Sequence, residues 1–143
     1  MRLLWEEEFS LVQLPLVARR LNTELEKITP FCLWLSGELG AGKTALVRAL
    51  LYDMGLSSRE SVTSPTFTLL NEYEIGPHWY AHMDLYRMGA LGSFEAEYRE
   101  FRGFFIEWPP EAISSIGLAA THCVELALVS GKEESRKIRV LGC

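Results

Sequence analysis

The residues best equipped for chemistry lie in GELGAGKT, positions 37–44. Gly37, Gly42, Lys43 and Thr44 satisfy the spacing G-x-x-x-x-G-K-[ST]. The two glycines permit backbone conformations that a Cβ would forbid. Successive N–H groups, those of Glu38, Leu39, Gly40 and Ala41 included, can then turn inward around a polyphosphate. The start of a following helix would add its own unpaired amides to this anion cradle. Lys43 is long enough to reach β- and γ-phosphate oxygens, and the Thr44 hydroxyl is a hard oxygen ligand suited to Mg²⁺. The spacing therefore predicts a nucleoside triphosphate site from Gly37 to Thr44.

Hydrolysis at such a loop needs a carboxylate beyond it, to hold the metal or to orient the attacking water. Two acids close apolar runs. Asp84 ends WYAHMD and Glu107 ends FFIE, while the only other aspartate, Asp53, falls on a predicted helix. The guanine-reading motif N-K-x-D has no match, nor does the switch motif D-x-x-G or the transporter signature L-S-G-G. ATP is favoured by elimination.

The flanking pattern is what such a loop requires. FCLWLS (31–36) is a short apolar run suited to a strand buried on both faces. After the loop, Leu46, Leu50 and Met54 keep helical spacing until Gly55 offers a C-cap. Upstream, LLWEEEF (3–9) suggests an edge strand, and Leu14, Val17, Leu21, Leu25 and Ile28 form the stripe of an amphipathic helix. Ser10 and Gln13 resemble a capping box for that helix, which leaves Pro15 awkwardly placed in its first turn. TFTLLNEYE (66–74), WYAHMD (79–84) and GFFIEW (103–108) are apolar, aromatic and β-branched enough for strands. CVELALVS and RKIRVLG, flanking GKEE, predict a C-terminal hairpin. The expectation is an α/β fold, a single domain over residues 1–143 with a largely parallel central sheet flanked by helices and closed by an antiparallel hairpin.

Composition narrows the function. A net charge of −5 argues against a broad surface that tracks nucleic-acid phosphates. No window of 18 apolar residues is present, and the start MRLLWEEEFS lacks the apolar run of a signal peptide. Cys32, Cys123 and Cys143 form no C-x-x-C pair, as expected of reduced thiols in a cytoplasmic protein, with Cys143 a tail thiol outside the ordered fold. His78, His82 and Asp84, or His122 with Cys123, do not converge as zinc ligands.

In this order after GELGAGKT, the segments TSPTFTLLNEY (63–73), HMDLYR (82–87) and FIEWPP (105–110) resemble the TsaE family. These are small bacterial ATPases of the tRNA threonylcarbamoyladenosine machinery. The resemblance covers about half the chain, and it departs from the family in the divergent stretch 88–103. It implies that Thr44 and Glu107 share a magnesium site and that Asp84 acts beside them in hydrolysis. It makes TSPT a switch-like segment with Thr66 on the γ-phosphate side, places Trp108 near the nucleotide, and assigns Arg87 to an interface or to phosphates. It implies the cofactors ATP and Mg²⁺ and the partners TsaD and TsaB, with tRNA reached through that complex. Two other functions share the loop: a small-molecule kinase, for which no arginine-bearing lid is evident, and a nucleotide-gated binding module with little turnover.

Overall fold

The computed structural model describes residues 1–65, 70–85, 100–107 and 119–143. Seven strands form one sheet in the order β1-β7-β6-β2-β5-β4-β3. They are β1 (Arg2–Ser10), β2 (Phe31–Ser36), β3 (Leu70–Ile75), β4 (His78–Asp84), β5 (Phe101–Glu107), β6 (His122–Val129) and β7 (Lys132–Gly142). The four middle strands β6, β2, β5 and β4 run parallel to one another. Antiparallel partners complete both sides, β7 and β1 beyond β6 and β3 beyond β4. The expected parallel centre and antiparallel C-terminal hairpin are both present.

Period-two alternation sorts β2 between the two faces. Phe31, Leu33 and Leu35 point into the larger core, together with Phe105 of β5 and Val124 of β6. Cys32 lies in a smaller cluster on the opposite face with Met83, Leu85 and Ile106, and Trp34 packs against it. Both described helices, α1 (Leu14–Leu25) and α2 (Lys43–Met54), cover the larger core. Leu21 and Leu25 of α1 and Leu46, Leu50 and Leu51 of α2 are completely buried there. Each such side chain contributes roughly 1.5–3 kcal/mol relative to exposure, enough to hold α2 firmly on the sheet.

The helices are joined by a polar clasp. Asn22 Nδ2 donates to the Leu50 carbonyl at 3.1 Å and to Asp53 Oδ2 at 2.9 Å. Asp53 is thereby occupied in helix packing. At the start of α1, the Ser10 N–H donates to Gln13 Oε1 at 2.8 Å, as the capping pattern suggested. A 3₁₀ turn over Leu11–Gln13 precedes α1, so Pro15 falls in the helix's first turn, where its missing N–H has no intrahelical partner to lose. The helix stops at Leu25, and Ile28 lies beyond it, largely exposed.

Two expectations need correction. GKEE is not a four-residue loop: the hairpin turns at Ser130 and Gly131, and Lys132 already belongs to β7. The reason is that Lys132 pairs with Val129 of β6 directly across that turn, which brings it into the ladder. Nor is Cys143 a loose tail. Its N–H donates to the Thr121 carbonyl at 3.0 Å, and its Sγ lies 3.3 Å from Cys123 Sγ. Thr66, Arg87, Trp108 and residues 88–99 of the divergent stretch lie outside the described residues.

Candidate functional site

The loop leaves β2 at Ser36 and enters α2 at Lys43, at the C-terminal edge of the parallel strands. That edge is where open α/β sheets hold their ligands. Gly42 caps α2 with φ 106°, a conformation that turns the chain sharply into the helix. The Ala41 N–H donates back to the Glu38 carbonyl at 3.0 Å, closing the loop on itself. Lys43, only 5% exposed, folds over this ring and donates from Nζ to the Gly37 carbonyl at 2.6 Å and the Glu38 carbonyl at 3.2 Å. Burial pulls its ammonium below the usual lysine range, against the opposing pull of Glu107, Asp84 and Glu38.

The two predicted carboxylates come together because their strands are neighbours. Asp84 ends β4, Glu107 ends β5, and the parallel register sets them directly opposite. The Leu85 N–H donates to the Glu107 carbonyl at 3.0 Å, pinning the ends of both strands. Both acids are buried, at 6% and 3% exposure, a costly placement without partners. Glu107 accepts from the Thr44 hydroxyl, which lies 3.0 Å from Oε1 and 2.9 Å from Oε2. Asp84 Oδ2 accepts from Ser64 Oγ at 3.0 Å. Lys43 supplies the nearby positive charge. The structure thus brings Lys43, Thr44, Asp84 and Glu107 into one constellation and places Gly37, Glu38, Leu39, Gly40, Ala41 and Gly42 in the loop beside it.

Three further residues belong here that have no place in the nucleotide site predicted from sequence, where His82 is weighed, and set aside, as a zinc ligand. His82 is completely buried, and its Nε2 hydrogen-bonds Glu107 Oε2. A usable signal existed: residues two apart on a strand share a face, so His82 had to lie on the side of Asp84. Ser64, inside TSPT, reaches Asp84 across a sequence gap that only folding closes. Arg136 of β7 donates from Nη2 to the Gly40 carbonyl at 3.4 Å, tying the C-terminal hairpin to the tip of the loop. In addition, Arg48 of α2 grips the Val62 carbonyl through Nε at 3.1 Å and Nη2 at 2.9 Å, which fixes the chain just before TSPT.

A glycine loop between a buried parallel strand and a helix, with a hydroxyl and two acids behind it, defines a protein of the P-loop NTPase class. The family model described as "Threonylcarbamoyl adenosine biosynthesis protein TsaE" matches residues 10–138, and the chain belongs to the TsaE family. Among curated relatives, the tRNA threonylcarbamoyladenosine biosynthesis protein TsaE of Haemophilus influenzae is 34% identical over 109 residues, 71% of this chain and 66% of that protein. The protein of the same name from Aquifex aeolicus is 43% identical over 77 residues, 52% of this chain and 54% of its own. The chain thus spans about half to just under two thirds of the length of these relatives. The crystal structure of Bacillus subtilis YdiB superposes with a TM-score of 0.66 over 99% of this chain and 88% of that one, at 20% identity, and shows that the fold is shared. Among the described residues, no helix is long and apolar enough to cross a membrane.

Proposed function

We propose that this chain is a Mg²⁺-dependent ATPase required for threonylcarbamoyladenosine modification of tRNA, acting in the cytoplasm to reset or regulate a transferase complex of TsaD and TsaB. The observation that carries the catalytic part is the direct contact between Thr44 and Glu107, with Asp84 beside them and Lys43 at the loop. A hydroxyl and a carboxylate are hard oxygen donors, the chemistry Mg²⁺ prefers, and Thr44 and Glu107 would hold it. The ion would neutralise charge on the β- and γ-phosphates. The loop amides and Lys43 cradle those phosphates and keep them in line for attack. Asp84, fixed by Ser64, orients a water and accepts its hydrogen bond. Positioning and electrostatic stabilisation supply nearly all of the catalysis in phosphoryl transfer.

The partner assignment rests on family membership and on charge. An acidic chain is poorly suited to track tRNA phosphates by itself, so the tRNA is reached through the complex. The test has two arms. Lys43→Ala should abolish nucleotide binding, while Glu107→Gln and Asp84→Asn should retain binding and lower phosphate release in the presence of partners by roughly 100-fold or more. A Glu107→Gln variant with wild-type turnover overturns the metal assignment, and a labelled acceptor in place of free phosphate indicates a kinase. Depletion of the protein should lower threonylcarbamoyladenosine in tRNA measured by mass spectrometry. Undiminished modification rejects the pathway while leaving the nucleotide site standing.

A further inference from the structure

His82 stands inside the candidate site, yet nothing in the nucleotide reading requires an imidazole there. It lies on β4, pairs across the sheet with Phe105 of β5 and Asn71 of β3, and is 0% exposed. Of its two nitrogens, only Nε2 has a partner among the described residues, and that partner is Glu107 Oε2; Nδ1 is buried with none. A leucine would fill similar space without stranding a polar atom. What the imidazole adds is the hydrogen bond to Glu107.

That bond supplies something Thr44 does not. The Thr44 hydroxyl carries a single hydrogen and sits nearly equidistant from both Glu107 oxygens, at 3.0 and 2.9 Å. It therefore leaves the rotation of the carboxylate about its last bond poorly defined. His82 approaches Oε2 from a strand paired on both sides. With Oε2 committed to His82, Oε1 is the carboxylate oxygen that stays beside the Thr44 hydroxyl without a bond to the imidazole. Toward an ionised Glu107, the form that would hold Mg²⁺, Nε2 must carry the hydrogen, which fixes the orientation of the ring.

We propose that His82 is a positioning residue for the divalent cation, orienting the Glu107 carboxylate that holds Mg²⁺ beside Thr44. The inference rests on the Mg²⁺ reading above and adds to it the group that fixes the ligand's geometry. Partners of this kind, one step removed from a metal, generally tune affinity as strongly as some ligands do.

The test uses the purified full chain and a fluorescent ATP analogue. Binding is titrated with MgCl₂ for the wild type, His82→Leu and His82→Gln, and again in EDTA. His82→Leu should raise the half-saturating Mg²⁺ concentration about 10- to 100-fold while leaving EDTA binding unchanged. His82→Gln, whose amide N–H reaches a similar point, should recover most of the loss. Wild-type Mg²⁺ dependence in His82→Leu overturns the proposal. So does an equal loss with and without Mg²⁺, or a glutamine variant no better than leucine. Should the leucine variant fail to fold, ¹⁵N spectra of the wild type decide: hydrogen on Nε2 and a shift of that nitrogen on adding Mg²⁺ with ADP support the role, and no shift refutes it. A wild type whose nucleotide binding ignores Mg²⁺ removes the metal reading and this inference together. A responsive wild type with an indifferent variant removes only His82.

Discussion

The two defining glycines of the loop should not be equally replaceable, and the structure says which matters more. At Gly37, φ is 152°, and an added Cβ would stand 2.5 Å from the Leu126 carbonyl oxygen and 3.3 Å from Ala41 Cβ. The carbonyl belongs to β6, a strand paired on both sides, so no side-chain rotation relieves the contact. At Gly42, φ is 106°, and an added Cβ meets nothing within 4 Å among the described residues. Gly42→Ala therefore suffers only the unfavourable backbone conformation, about 1–2 kcal/mol. Gly37→Ala suffers backbone strain and a forced separation of the loop from β6, together about 3–5 kcal/mol. In thermal denaturation followed by circular dichroism, Gly42→Ala should melt about 5 °C below the wild type and Gly37→Ala about 10 °C or more below. Equal losses, or a larger loss for Gly42→Ala, would show that close packing against Leu126 is not what requires glycine at position 37.

Two further expectations concern groups away from the loop. His122 is buried among Thr121, Glu24 and Lys27, and desolvation lowers its pKa despite the pull of Glu24. The unfolded chain therefore takes up that proton first on acidification. The contribution of His122 to stability is complete above the ordinary histidine value of about 6.5 and falls below it, by at most about 1.4 kcal/mol per pH unit. Melting curves between pH 7.5 and 5.5 should show a steeper decline in wild type than in His122→Gln; parallel declines would assign the acid sensitivity elsewhere. Among the thiols, burial pushes Cys32 up to about 11 and Cys123 up to about 12, whereas Cys143 is exposed. Because the thiolate is the reactive form, iodoacetamide at pH 8 should alkylate Cys143 fast and the other two slowly, with peptide mapping to assign them. Rapid labelling of Cys123 would mean that the end of the hairpin opens.

The elements legible in the sequence are those whose cause is local. FCLWLS is a strand because six consecutive residues can be buried on both faces, and its bounds match β2. GELGAGKT was legible as a loop motif because its glycines and its lysine are a local backbone and side-chain requirement, and α2 follows as the helical spacing predicts. Asp84 and Glu107 were visible as acids ending apolar runs, but nothing in one strand says which strand lies beside it. Their pairing at one edge was decided by the order β2-β5-β4, a long-range choice.

The same limit applies to contacts that no single segment encodes. Ser64 reaches Asp84 across 20 residues, Arg136 reaches Gly40 across 96, and His82 meets Glu107 across 25. Cys143 looked like a tail because a chain end has no local signal for the Thr121 carbonyl that holds it. Sequence alone determined which residue types are available for chemistry, since backbone freedom and side-chain type are properties of each residue. Tertiary structure decided which oxygen faces which hydrogen. That depends on strand order and register, which are fixed by burying both faces of the whole sheet at once.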